Sequence, residues 1–559
     1  MFRNQFLRGI RSFSTSHTLR SQGKKSIRQI LKDNRQIILG SSLFGLGITL
    51  GFTFGITRPN PDWKFPESST TPIDNIIPPQ YAFRADMFDG FNKISKLIGE
   101  SNVSYDNDDL NSFATNSYST HLPKDNQKPK MICYPRSTEE VSQIMKIANE
   151  YSIPVVPYSG GTSIEGNFIS TQPGLLLSLS NMDSILQFNK DDLDVTVQPA
   201  VGWQDLNAYL EPEGFMIGPD PGPGGQIGGM IGTSCSGTNA ARFGTMKENV
   251  LSLIVVLADG TIIKTKNRPR KSSAGYNLTG LFIGSEGTLG IVTEATLKVH
   301  VKPKFERVSV VSFPKIVDAT NMVTKLIQED IVVNAVELLD DNMIDVINKS
   351  GQLNKKWKVT PTLLVKIGGS EESVLSKLTK KIEDISIENN SIGFESAGSN
   401  KESEDLWTAR KIGFWSTIEY AKQHIDPNIK VWVTDVAVPI SKLSKVIEET
   451  SEEVSKSKVF CTILGHVGDG NFHCILTYKP DEYEKVKTIS ENTVRRAILN
   501  EGTCTGEHGI GVGKRKYLIE ELGINSTDLM RKLKFAMDPK RILNPDKIIK
   551  IDPEDPNKF

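Results

Sequence analysis

The chain has 559 residues, 38% apolar and 24% charged, with 66 basic against 66 acidic side chains. That length suits two or three domains with real cores, and the composition excludes collagen, coiled-coil and polytopic membrane classes. The zero net charge hides an asymmetry: residues 1–57 carry nine Lys or Arg against Asp33 alone, leaving 57 basic and 65 acidic side chains on a body unsuited to nucleic acid.

The basic residues from Arg3 to Arg28 alternate with Ser12, Ser14, Ser16, Ser21 and Ser26, with no acid before Asp33. This is the composition of a mitochondrial presequence, expected over residues 1–35. Residues 37–56, IILGSSLFGLGITLGFTFGI, form 20 uncharged residues, which as a helix reach about 30 Å and cross a bilayer once. Basic residues precede this expected transmembrane helix, and Asp62 and Glu67 follow it. The positive-inside tendency then places the span in the mitochondrial inner membrane with the body facing the intermembrane space.

Residues 57–127, rich in Pro, Asn, Asp and Ser, read as a linker and N-terminal packing arm with a short amphipathic helix near 85–97. Ser137 and Glu140 form a capping-box pattern, and Val141, Ile144, Met145 and Ala148 recur at helical spacing, so a βα domain starts here. A strand at 153–157 enters a Gly-rich loop. Residues 250–257, an Asp259-Gly260 turn and residues 261–265 predict a hairpin. From Val308 the pattern changes, with strands at 308–313 and 362–367 alternating with helices at 315–329 and 371–385. That alternation predicts a helix-covered antiparallel sheet, α+β in class. Cys133, Cys235, Cys461, Cys474 and Cys504 form no C-x-x-C pair and read as free thiols.

Three motif groups carry chemistry. Gly-rich, hydroxyl-rich loops at 159–163, 218–229, 233–239 and 284–290 let backbone N–H groups approach phosphate closely, and four of them point to one large phosphate-bearing ligand. Neither a dinucleotide-binding G-x-G-x-x-G nor a P-loop is met, so NAD and ATP drop out. The second group is Gly465-His466-Val-Gly-Asp469-Gly-Asn471-Phe-His473 between two apolar runs. As a hairpin it sets His466 and His473 at opposite ends of one tight connection, where both imidazoles can meet one metal ion. Glu507 and His508, flanked by Gly506 and Gly509, offer a further acid and imidazole; two His and a carboxylate favour Zn²⁺, Mn²⁺ or Fe²⁺. Asp469 reads as a turn residue. The third is Trp407-Thr-Ala-Arg410-Lys411, whose guanidinium can grip a substrate carboxylate through two parallel bonds.

The motifs PYSGGTSIEG (157–166), DPGPGGQIGG (220–229), SCSGTNAARFGTMKEN (234–249), RPRKSSAGYN (268–277), GSEGTLGIVTEA (284–295), TDVAVP (434–439), GHVGDGNFH (465–473), GTCTGEHGIGVGKR (502–515) and DPKRILNPDKI (538–548) resemble a known family from about 128 to 550. It is the vanillyl-alcohol-oxidase type of flavoprotein with a C-terminal FAD-linked oxidase domain, and within it the cytochrome c-reducing mitochondrial D-lactate dehydrogenases. The resemblance implies a two-part FAD-binding domain at 128–302 and, at 303–550, a C-terminal domain holding the substrate cap, the metal site and a segment that returns to the flavin. It implies FAD contacts from Ser159, Gly160, Gly161, Thr162 and Ser163; from Pro221, Gly228 and Gly229; from Thr233, Ser234, Ser236, Gly237, Ala240 and Gly244; from Glu286, Gly290, Ile291 and Val292; and from Asn544. It further implies a divalent metal, usually zinc, on His466, His473 and Glu507, and Arg410 on the substrate carboxylate. Asn167 stands where some relatives carry His, so the FAD is expected to be noncovalent.

The mechanism that this resemblance implies is oxidation of D-lactate. The metal holds the 2-hydroxyl and one carboxylate oxygen, His508 takes the hydroxyl proton, FAD accepts the hydride, and electrons leave singly to cytochrome c. Competing readings are a D-2-hydroxyglutarate or glycolate dehydrogenase of the same family, a zinc hydrolase whose Gly-rich loops hold only phosphate, and a membrane-tethered binding protein with a vestigial flavin site.

Overall fold

Helical periodicity in the N-terminal arm is realised as Arg84–Ile98, which buries Met87, Phe91, Ile94 and Ile98 on one side. Those side chains join Val141, Ile144, Met145 and Ala148 of the helix Thr138–Tyr151 in one apolar cluster. The 57–127 arm thus supplies core as well as connection. The computed structural model describes residues 68–353 and 355–555; the expected presequence and transmembrane helix lie outside them. Among the described residues no helix is long and apolar enough to cross a membrane.

Ser137 caps its helix by accepting Glu140 N–H, while the Glu140 carboxylate reaches back to Arg136 N–H, one residue before the cap. The capping box is therefore half met, with the second bond shifted by one residue. This helix covers a four-stranded sheet ordered Val103–Ser104, Met131–Cys133, Leu175–Ser178, Val155–Tyr158. A second, five-stranded antiparallel sheet runs Ile185–Asn189, Asp194–Val197, Ile291–Lys298, Val250–Val256, Ile262–Lys264. Its last two strands are the expected hairpin, paired from Ile254↔Lys264 to Val256↔Ile262.

The predicted antiparallel sheet is present with eight strands. Its central order is Phe305–Ser312, Thr362–Gly369, Ala335–Leu339, Phe460–His466, Asn471–Tyr478, Lys430–Val433. Helices Ile316–Gln328, Glu372–Glu388 and Ile440–Ser457 seal one face with a large apolar core, and Asp341–Ser350 and Asn400–His424 line a smaller one. Beyond the final helix Ile524–Met537, Leu543 forms a parallel bridge with Val155 of the first sheet. All five cysteines are free and buried.

Candidate active site

Two loops of the Gly-rich set interlock through Ser159, whose hydroxyl donates to Gln226 Oε1 at 2.8 Å and to the Pro199 carbonyl at 3.2 Å. Gly160 is required there: a Cβ would stand 2.7 Å from the Gly224 carbonyl oxygen, closer than any side chain tolerates. Asn116 fastens the loop from outside, donating to the carbonyls of Gly161 and Ser163. The helix Ile227–Thr233 ends at Ser234 in the left-handed region, and Glu286 N–H closes onto the Gly232 carbonyl at 2.9 Å. With Asp220 accepting from Thr238 and Asn239, the expected Gly-rich loops at 159–163, 218–229, 233–239 and 284–290 are brought together. Of the other residues expected at FAD, Ile291 is buried in the apolar cluster under the helix Thr138–Tyr151, Val292 packs against the apolar residues of the five-stranded sheet, Gly290 lies close to Val255 and Phe282, and Gly244 turns the chain beside Glu248.

Glu286 also reaches the C-terminal domain. Its buried carboxylate accepts the N–H groups of Ile510 and Gly511, and its carbonyl accepts Asn544 Nδ2 at 2.6 Å. Asn544 holds the Asn167 carbonyl as well, and Asn167 Nδ2 donates to the His508 carbonyl. Around this hub three buried polar atoms have no hydrogen-bond partner: Asn167 Oδ1, Asn544 Oδ1 and His508 Nδ1. Native interiors leave few such atoms unmet. These three fit a cofactor that presents a polar ring edge.

The hairpin Phe460–His466 and Asn471–Tyr478 brings its two imidazoles onto one carboxylate. Glu507 Oε1 lies 3.2 Å from both His466 Nε2 and His473 Nε2. The candidate ligand atoms of the three residues all fall within 4.8 Å of one another. Each ring is fixed from behind, His466 Nδ1 by Glu337 Oε1 at 2.7 Å and His473 Nδ1 by the Thr434 carbonyl at 3.1 Å. Burial opposes charge on Glu507, yet His466 and His473 hold its carboxyl well below the usual range. Burial likewise opposes a charged His466, but Glu337 and Glu507 raise it well above an ordinary imidazole. The electrostatics that draw a proton to this cluster also draw a dication, and the donor set of two imidazoles and a carboxylate suits zinc.

A second cluster, Asp435, His473 and His508, is equally close-set. Asp435 is saturated: Oδ2 accepts from Thr505 Oγ1 and from the N–H groups of Gly506, Glu507 and His508, and Oδ1 accepts from Asn471. Five donors on one carboxylate suit a role in shaping the loop. His508 stacks on His473 with ring centroids 5.1 Å apart, and burial lowers its pKa below the ordinary value, so it stands neutral.

Arg410, on the helix Asn400–His424, donates through Nε to Glu337 Oε2 at 2.6 Å. This leaves its two terminal amino groups for a substrate carboxylate. Asp469 sits in the hairpin turn, as expected, with its N–H on the His466 carbonyl. Sequence reasoning missed Glu337, Asp435 and the buried Lys514, which donates to the Asp435 carbonyl and pairs with Glu165.

Residues 129–266 match the FAD binding domain, and residues 302–548 match the family described as FAD linked oxidases, C-terminal domain. Over 524 residues, 93% of this chain and 90% of the relative, the sequence is 48% identical to the mitochondrial D-lactate dehydrogenase (cytochrome) of Kluyveromyces lactis. The chain belongs to this family of FAD-linked oxidoreductases. Identity is also 48% to mitochondrial D-lactate dehydrogenase (cytochrome) 1 of Saccharomyces cerevisiae, over 88% of this chain and 85% of the relative. Among solved structures, 4-ethylphenol oxidase from Gulosibacter chungangensis matches with a TM-score of 0.69 at 18% identity, covering 85% of this chain and 99% of that one. At that identity the likeness shows the shared fold, that of the vanillyl-alcohol-oxidase type. As a member of the family the chain binds FAD, and its interlocked Gly-rich loops are the candidate cradle.

Proposed function

We propose that the protein oxidises D-lactate to pyruvate and passes the electrons to cytochrome c. The observation that carries the reading is the meeting of Glu507 with His466 and His473, beside His508, on a loop that Glu286 ties to the Gly-rich half. FAD, when bound, supplies the two-electron acceptor, and a divalent ion on His466, His473 and Glu507, taken as zinc, supplies Lewis acidity to the substrate hydroxyl. The chain's own part is to bind, orient and deprotonate. Arg410 grips the carboxylate through its terminal amino groups, and burial keeps His508 neutral and able to take the hydroxyl proton at a ring nitrogen. Asp435 holds that histidine's backbone still.

Substrate size supports lactate over a longer diacid. Lys514, the buried cation beside Thr434 and Asp435, is already engaged by Glu165 and the Asp435 carbonyl, so it is not free for a second carboxylate. The basic, serine-rich leader and the apolar stretch 37–56 support a mitochondrial inner-membrane tether with the body in the intermembrane space. The acidic body suits a basic electron-transfer protein.

The deciding experiment is anaerobic mixing of the FAD-loaded protein with D-lactate, L-lactate and D-2-hydroxyglutarate in turn. Flavin bleaching by D-lactate alone is expected. Bleaching by D-2-hydroxyglutarate at a higher rate reassigns the substrate, and a colourless protein removes the flavoenzyme reading.

A further inference from the structure

Glu337 faces His466 directly across the sheet, in the antiparallel register Glu337↔His466, although 129 residues separate them in sequence. Directly opposed residues leave the same face of a sheet, so their side chains meet. Glu337 is 0% exposed and spends each oxygen on a different partner, Oε1 on His466 Nδ1 at 2.7 Å and Oε2 on Arg410 Nε at 2.6 Å. The first bond fixes the ring through Nδ1 and aims Nε2 at Glu507 and His473, where a shared metal would sit. The second bond fixes the root of the guanidinium.

We propose that Glu337 is a positioning residue that couples the metal-binding histidine to the carboxylate-binding arginine, so that a change at either site is felt at the other. This rests on the metal and substrate reading above. A glutamine in the same volume offers one acceptor and one donor to two N–H groups, so it can satisfy only one of them. An aspartate keeps the charge and loses reach.

The test uses the FAD-loaded full chain and titrates Zn²⁺ against a competing chelator, a readout independent of turnover. E337Q is expected to bind Zn²⁺ about 10 to 100-fold more weakly than the parent, to raise KM for D-lactate, and to keep its flavin spectrum. E337D is expected to recover part of the Zn²⁺ affinity, and it carries the test if the glutamine variant does not fold. Arg410→Ala, which touches no metal ligand, is expected to change Zn²⁺ affinity at least about twofold in the parent and to have no effect in E337Q. Unchanged Zn²⁺ affinity in E337Q, or the same Arg410→Ala effect in both backgrounds, overturns the coupling. His466→Ala separates the two ideas. If it keeps Zn²⁺, the metal reading falls and the coupling with it; if it loses Zn²⁺ while E337Q does not, only the coupling falls.

Discussion

Asp435 Oδ2 accepts the main-chain N–H of His508 at 3.0 Å. The same oxygen takes the N–H groups of Gly506 and Glu507 and the hydroxyl of Thr505, so one buried carboxylate sets the curvature of the loop that presents both the candidate metal-binding acid and the candidate base. Asp435→Ala leaves those donors and Lys514 without their anion. A loss of about 3 to 5 kcal/mol is expected, the usual cost of stripping a buried charge of its partner. Chemical denaturation of the FAD-loaded protein measures it, and a variant as stable as the parent would show that the loop is held by other means.

His508→Ala is expected to slow flavin reduction by D-lactate at least about 100-fold, the lower end of what general-base removal costs. Zinc and FAD content should not change, because the expected metal ligands are His466, His473 and Glu507. Metal analysis and rapid-mixing traces on one sample separate these outcomes. Turnover at the parental rate would take the proton-accepting role away from His508.

Asn167 contributes an amide where a histidine would offer a nucleophilic ring nitrogen, and its Nδ2 is on the His508 carbonyl. All of the flavin should therefore leave with the supernatant on acid precipitation. Yellow colour retained in the washed pellet would show a covalent link made elsewhere.

Asp340 caps the helix Asp341–Ser350 through Met343 N–H, and burial raises its pKa to about 7. A carboxyl raised in the folded state favours folding in its protonated form. Its contribution is complete below the unfolded value near pH 4 and is lost as the pH rises through about 7. Asp340→Asn caps equally well and does not ionise. The variant should match the parent near pH 4 and exceed it at pH 8, by on the order of a few kcal/mol. Parallel stability curves for the two proteins across that range would contradict the assignment.

The legible part of the site is the part written in short motifs. His466 and His473 flank a glycine-rich hairpin turn and Glu507 and His508 stand between glycines on a loop, and glycine flanking is visible along a chain. Glu337 and Asp435 are single acids in strand-like surroundings, and their importance comes from pairing across the sheet and from a loop some 70 residues distant. No local pattern marks them. A buried acid in an apolar strand is itself a signal, because such a charge needs partners; read that way, Glu337 in AVELL could have been found. The helices near 85–97, from Ser137, at 315–329 and at 371–385 and the hairpin are legible from periodicity, whereas the long helices Ile440–Ser457 and Tyr483–Leu499 go unread, and the short helices and 3-10 turns described in the arm and Gly-rich half depend on caps and close packing. Gly290, where a Cβ would stand 2.5 Å from Val255, shows a further limit: the sequence does not say which neighbouring side chain requires a glycine.

The parallel bridge from Leu543 to Val155, with Asn544 reaching Asn167 and Glu286, has a bearing on biosynthesis. The half of the molecule that carries the Gly-rich loops is completed by Leu543 and Asn544, which follow the whole intervening cap in sequence. Its first sheet waits for an edge partner, and Glu286 for an asparagine, until that cap has been made. A truncation that removes only the C-terminal tail would leave the distant cap intact in sequence and disable the flavin-binding half instead.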